Sequence, residues 1–594
     1  MRAAAPIVSC VGTKTAEAAA GISLGELREV GKQVDAEFAG IFTGVFAQRR
    51  TWRKAVDYVD ALAGCGTPVK TCWELAENAG YDTPGRFQSL IGENRWDHGE
   101  IWSRIAVAAG RLLPCPEDDP LGPGVAADET AQEKRGRRTV GAGVQWAGCV
   151  GGRTNCVTSV FLTYVTPAAA TWIMHGLFMP KKDWFTGTGG TGDARRTAAG
   201  VPDDVAFETK PQIARRKFQE LRDLGVHFTW AAGDEVYGRY AALRQDHEKN
   251  GEAYAYFVPR DFRLRTAAGT HRADELLKHA EGRYEIRSTG PGLNGPRYYE
   301  WAMIQTADPR RFLLIRRPLD EPGKPDRPTP GRHTKPTPST GRKPNGQAAK
   351  KNPRKADPKI PDGTSFVYCH IPRESPIRPT MRNLVLMAGR RWPVEEANAV
   401  GKGPLGWDQN QYRTWTSVQH HTALTGIAML KATAIRAHLE NNTDPTAHTP
   451  HHRNDTPPEH HTTNTDTESN PPPATDDETI PLGDSPTPVH PDQPRPPDIG
   501  HIRLSLNETL RLITLANAGL PHAKTMFHLR WSTWRRKHQA IARWHHYRTR
   551  LAATITRHHP QQTNHSKTTP RHQHPQTATE LKVTKSLLTV KSGL

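Results

Sequence analysis

Two proline-rich stretches of opposite charge divide this chain and limit what the rest can fold into. Residues 322–361 hold 10 Pro, 11 Lys or Arg and only 2 Asp. Residues 441–498 hold 14 Pro and 11 acidic residues against 2 Arg. Neither composition can bury enough apolar surface to offset the entropy of ordering, so both are expected to be extended and solvated. The first reads as an inserted linker with incidental affinity for DNA, or as a DNA-tracking arm, and the second as an acidic linker. The 594 residues otherwise leave room for two to four domains.

Outside these stretches the hydrophobic period changes along the chain. From Leu24 to about Leu113 it is helical, with Phe38, Ile41, Phe42, Val45 and Phe46 on one face. Residues Trp73–Gly80 and Thr83–Leu90 read as helix, glycine stop, helix. That is either a DNA-contacting helix-turn-helix or an ordinary pair in a bundle. From Gly124 to Pro259 strands alternate with helices. Strands are expected at Val125–Ala127 (ending at Asp128), Gly141–Val150, Val157–Val165, Val226–Ala232 and Tyr254–Val258, with an amphipathic helix over Pro211–Leu224. This order argues for an α/β core. Further strands are expected at Tyr298–Gln305, Arg311–Arg317 and Ser365–Ile371, then helices at Thr380–Gly389, Pro393–Gly401 and Trp415–Leu439.

Charge narrows the function classes. Eighty Lys and Arg against 61 Asp and Glu give a net +19 and point to a polyanionic partner, nucleic acid first. No apolar run is long enough to span a membrane, and Met1–Gly21 lacks the apolar segment of a secretory signal. The seven cysteines form no C-x-x-C pair, which argues against a disulfide framework or zinc finger and for a reducing cytoplasm. The histidines crowd beyond residue 419 without ligand spacing and read as composition. Residues 501–557 carry 11 Lys or Arg and one Glu, with Trp531, Trp534 and Trp544 interleaved. That pattern suits phosphate contact and stacking by Arg535, Arg536 and Lys537. The bland alternative is a surface helix that packs its tryptophans on the core.

Three acids could carry chemistry. Asp128 and Asp234 each follow an expected strand, where α/β active sites form. Because successive strand residues face opposite sides, only one member of each Asp-Glu pair is expected to face a shared site. Two aspartates suit Mg²⁺, which takes oxygen ligands, and a pair of such ions would clamp an in-line displacement at phosphorus. A helix begun by Pro393 would put Glu395 and Lys402 within about 20° on one face, offering an acid and a phosphate-binding cation.

Together these residues resemble the DDE-type bacterial insertion-sequence transposases, most of all insertion-sequence family seven hundred and one, related to the Y-R-E-K signature branch. The resemblance rests on Asp128-Glu129-Thr130, on Gly233-Asp234-Glu235-Val236-Tyr237-Gly238, and on Arg391, Glu395 and Lys402 at their spacing. Asn155–Leu162, Phe207–Pro211 and Gly406–Gln409 match as well. It spans about residues 36–440 and is weaker over 501–557. Ala388 stands where the signature has Tyr.

The resemblance implies an α/β, ribonuclease-H-like catalytic core interrupted by a β-rich insertion. The expected order is a helical DNA-binding domain over 24–113, the first part of the core over 120–260, the insertion over 261–375 and the helical end of the core over 376–440. The acidic linker over 441–500, a basic helical segment over 501–560 and a flexible tail over 561–594 complete it. The implied catalytic and metal-binding triad is Asp128, Asp234 and Glu395, with two Mg²⁺ ions for which Mn²⁺ can substitute. Arg391 and Lys402 would contact DNA phosphates, and Tyr237 the transposon end. The implied activity is cleavage at element ends and strand transfer into target DNA, by a homodimer on DNA in the bacterial cytoplasm at the nucleoid. A DNA-binding protein that has lost catalysis, and a nuclease without strand transfer, remain open as alternatives.

Overall fold

A computed structural model describes residues 16–64, 69–185, 191–290, 297–319, 361, 363–442, 502, 504–517 and 522–558. The basic loop, nearly all of the acidic linker and the C-terminal tail expected from the sequence lie outside the described residues. The N-terminal part is helical: α1 (Leu24–Phe42), α2 (Arg49–Gly64), α3 (Cys72–Asn78), α4 (Gly85–Gly92) and α5 (His98–Leu112). Helix α1 starts where the Ser23 hydroxyl accepts the Glu26 N–H, a donor the first turn leaves unpaired. It buries Phe38, Ile41 and Phe42 of the expected apolar face and ends there, so Val45 and Phe46 lie beyond it. Helices α3 and α4 are the expected pair around the left-handed Gly80.

The central sheet is mixed, with ten strands: β1 (Gly124–Glu133), β2 (Gly143–Ala147), β3 (Gly152–Val165), β4 (Ala170–Phe178), β5 (Trp230–Gly233), β6 (Ala253–Val258), β9 (Glu285–Ser288), β10 (Tyr298–Gln305), β11 (Arg311–Arg317) and β12 (Ser365–His370). Strands β7 (Arg263–Thr266) and β8 (Gly269–Arg272) form a separate hairpin. Strand β1 pairs antiparallel with β3, which pairs antiparallel with β4. On its other side β1 runs parallel to β5, and β5 parallel to β6. This mixed α/β arrangement is consistent with a ribonuclease-H-like DDE fold. The later strands continue the same sheet in the order β6, β12, β11, β10, β9, so the strands after residue 284 widen it.

The two sheet faces are covered differently. Helices α6 (Lys181–Trp184) and α7 (Thr191–Ala199) follow β4, and α8 (Lys210–Asp223), α9 (Glu235–Gly238) and α10 (Ala241–Lys249) flank β5. Ile213, Ala214, Phe218 and Leu221 of α8 join Val125, Ala127, Tyr254 and Tyr256 in one core. A short α11 (Leu277–Ala280) precedes β9. Helix α12 (Met381–Gly389) lays Leu384, Val385 and Met387 on Ala126, Ala232, Ala253 and Ala255, the alternate residues of the same strands. The period of two thus separates two cores across one sheet. Helix α13 (Pro393–Lys402) follows, with Pro393 opening its first turn as expected.

Helix α14 (Trp415–Asn442) joins the two halves, packing on α1, α2 and α5 and also on β4. Nearly every described position of it is buried, as a helix enclosed on all sides requires. Its buried Lys431 is held by Asp35 of α1 and by Asp60 of α2 at 2.6 Å. Finally α15 (Leu506–Asn517) docks against α1 and α2, with Leu510 and Ile513 in the main core, and α16 (His522–His558) follows it. The basic C-terminal segment therefore packs on the N-terminal helices. No helix of the described residues is long and apolar enough to cross a membrane.

Several expectations shift: β2 keeps only Gly143–Ala147 of the expected Gly141–Val150, and β3 begins at Gly152 rather than at Val157. Strand β1 runs on to Glu133 because β3 pairs with it over its whole length, so Asp128 sits in mid-strand. Strand β5 spans Trp230–Gly233 against the expected Val226–Ala232. Strand β4 was not anticipated: its buried run carries no alternation to distinguish it from a buried helix segment.

Candidate active site

The parallel pairing of β1 with β5 ends at Ala127 opposite Gly233. The next residue on each strand is an aspartate. Asp128 and Asp234 therefore flank the point where β5 stops and the edge of β1 opens; Asp234 follows its strand as expected, whereas Asp128 lies inside β1. Asp234 caps α9, its side chain accepting the Val236 N–H at 2.9 Å. The glycines of this motif have steric reasons. A Cβ on Gly238 would stand 1.9 Å from the Phe257 carbonyl oxygen, so α9 can lie on β6 only without one.

Glu129 joins them. One carboxylate oxygen each from Asp128, Glu129 and Asp234 lie within 4.8 Å of one another. Strand alternation does send Asp128 and Glu129 to opposite faces: Asp128 meets α13, while Glu129 meets the start of α8 and α9. At an unpaired strand edge, however, both carboxylates reach the same point. The expectation that only one of the pair would face the site is corrected accordingly. Glu129 accepts the Tyr237 hydroxyl at 2.8 Å and pairs with Lys210 Nζ at 2.8 Å. Tyr237, expected at the transposon end, is fully buried and acts here on Glu129.

Asp128 is fixed from the other side. The Trp172 indole N–H donates to Asn398 Oδ1 at 3.0 Å, and Asn398 Nδ2 donates to Asp128 Oδ2 at 3.2 Å. An indole can only donate, so it fixes which end of the amide faces Asp128. Helix α13 sits close enough for this because Gly401 has no Cβ; one would stand 2.1 Å from Trp172.

Arg391 lies between Asp128, at 3.8 Å, and Glu395, at 3.3 Å. Glu395 is exposed and stands one guanidinium away from the three clustered carboxylates. Lys402 ends α13, half-buried, and its charge acts on Asp408. Ala388 is buried in the core under α12, so the position of the signature Tyr contributes nothing to the carboxylates. Arg535 pairs with Glu508 at 2.6 Å, and buried Arg536 donates to the carbonyls of Ile502 and Ala20. Both guanidiniums are thus occupied within the protein, while Lys537 is exposed.

The electrostatics reflect crowded acids, with Asp128 buried and Glu129 and Asp234 half-buried. Burial pushes the Asp128 carboxyl up to about 8; Arg391 opposes this, and Glu395, Glu129 and Asp234 add to it. Burial and then Glu129 raise Asp234 to about 6, against its bond from the Val236 N–H. Such a site favours a cation. Oxygen-only donors are the set a hard divalent metal takes, so the residues present fit one.

Residues 38–310 match a protein family described as DDE superfamily endonuclease. The match includes Asp128, Glu129 and Asp234 and ends before Glu395. It supports a DDE-superfamily transposase or nuclease, and with it a DNA substrate. Enzymes of that superfamily use divalent metals, which agrees with the acidic cluster. No curated protein matches the chain.

Proposed function

We propose that this protein is a DDE transposase that cuts DNA at insertion-sequence ends and transfers the freed strand into target DNA. The observation that carries this is the convergence of Asp128 and Asp234 at the end of the parallel β1–β5 pairing, in a chain whose residues 38–310 match the endonuclease family. The order Asp128, Asp234, Glu395 and the Arg391–Lys402 helix support the narrower reading as a transposase of the insertion-sequence type. Transposition requires two ends to be handled together, so a homodimer on DNA is part of the proposal, as is residence at the bacterial nucleoid.

Asp128, Asp234 and Glu395, with Glu129 beside them, would hold the divalent ions, Mg²⁺ or Mn²⁺. Bound there, such ions supply charge neutralisation at phosphorus and activation of the attacking oxygen. The chain's own residues do the positioning. Asn398 turns Asp128 toward the cluster, and the α9 cap orients Asp234. Tyr237 and Lys210 hold the Glu129 carboxylate in place. Arg391 has a buried Nη1 with no hydrogen bond among the described residues, a donor that a scissile-site phosphate oxygen would complete. Lys402 would extend the phosphate contact along α13. The helices over 24–113 would bind the element end, and the +19 charge makes that binding steeply dependent on salt.

The test is cleavage of a labelled element-end duplex in Mg²⁺, followed by joining to a target plasmid. Wild type should nick at the end and join the 3′ strand, and Asp234→Ala should do neither. Nicking without joining would reduce the activity to that of a nuclease. Binding without nicking in Mg²⁺ or Mn²⁺ would leave a DNA-binding protein only.

A further inference from the structure

Helix α16 carries an exposed face that the cleavage chemistry does not use. At about 100° per residue, Phe527, Trp531, Trp534 and His538 fall within a sector about 60° wide. Phe527 is 57% exposed, Trp531 43% and Trp534 54%. The opposite side is the packed one, with Leu529, Ser532, Arg536 and Ala540 buried. The four rings form a ladder. Phe527 and Trp531 lie 6.2 Å apart, Trp531 and Trp534 5.2 Å, and Trp534 stacks on His538 at 4.9 Å and 10°. Large apolar groups aligned on one exposed face mark a binding surface.

Charge selects the occupant. Residues 522–558 contain nine Lys or Arg and no Asp or Glu. Arg535 and Arg536 serve the fold, but exposed Arg530 and Lys537 border the ladder on one side. A second copy of the same face would bring like charges together. An anionic ligand with flat, stackable groups answers both features. Along the helix the rings recur every three or four residues, about 4.5–6 Å. That exceeds the 3.4 Å rise of stacked duplex bases, so the ladder fits bases that have left the duplex stack.

We propose that the Phe527, Trp531, Trp534 and His538 face of α16 is a stacking platform for unpaired DNA, with Arg530 and Lys537 on the adjoining phosphates. Its choice of DNA among polyanions rests on the function proposed above; the ladder itself does not. In a cleavage reaction this surface would take the strand separated near a cut.

The experiment measures binding of a labelled 12-mer of deoxythymidylate to the full chain in EDTA, so the result does not depend on nicking activity. Wild type should bind the single strand with quenching of tryptophan fluorescence. The double variant Trp531→Ala/Trp534→Ala alters only exposed rings and should bind at least about tenfold more weakly, each stacked base contributing strongly. Its affinity for a duplex of equal length should change less than about threefold. Arg530→Gln/Lys537→Gln should flatten the salt dependence while retaining the quenching. Three results would overturn the proposal: equal single-strand affinity in the tryptophan variant, loss of binding to phosphatidylglycerol vesicles without loss on DNA, or a shift from dimer to monomer as the sole effect.

Discussion

At the level of residues, the site is a cluster of one buried and two half-buried carboxylates, each held by a donor. Asp128 shows the cost. Between its ordinary value of 3.8 and about 8, the folded protein keeps a proton that the unfolded chain has released. Stability of the metal-free protein therefore falls as pH rises through that window. Asp128→Asn removes the ionisation and should raise the unfolding free energy by ~1–3 kcal/mol at pH 8, with little change at pH 4. Denaturant titration in EDTA reads this, and an equal shift at both pH values would refute the ionised carboxylate as its source. The Tyr237 hydroxyl acts through Glu129, so Tyr237→Phe should weaken Mn²⁺ binding by about tenfold with only a modest loss of stability. Unchanged affinity in calorimetry would remove Tyr237 from the site. The two aspartates were legible because each follows a strand-like apolar run. Glu129, Asn398 and Lys210 were not, since a sequence shows neither where a parallel partner stops nor which amide meets which acid.

Elements explain how those residues meet. Helix α13 reaches Asp128 only because Gly401 lets it approach Trp172. Gly401→Ala should cost ~1–3 kcal/mol by overpacking and should depress cleavage by displacing Asn398. Gly31→Ala, in the middle of α1 with open space around it, should be neutral or slightly stabilising. Thermal melts and nicking rates on both variants check this, and a tolerated Gly401→Ala would contradict the close approach. The expected strands Tyr298–Gln305 and Arg311–Arg317 agree with the structure to the residue. Helix α13 was readable from Pro393. Strand β4 and the hairpin β7–β8 were not, because one lacks alternation and the other lacks apolar content.

For the whole molecule, the sequence indicated an α/β core beside a helical region, but not their joining. Lys431 spans from α14 to α1 and α2. Arg28 of α1 donates to the Ala516 carbonyl of α15 at 3.0 Å, across nearly the full chain. Such contacts depend on three-dimensional packing and leave no periodic trace. Ending the chain at residue 442 would uncover the face of α1 and α2 that α15 covers, and should lower the melting midpoint by about 5 °C or more. An unchanged midpoint would show that α15 adds nothing to the fold. The acids at the end of the β1–β5 pairing are proposed to form a metal centre that cuts DNA. The most direct measurement is a calorimetric Mn²⁺ titration of the full chain, wild type against Asp128→Asn and Asp234→Asn, with nicking of the element-end duplex read on the same samples. Both substitutions should abolish metal binding and nicking together. Metal binding of wild-type affinity in either variant, or nicking that survives both, would contradict this.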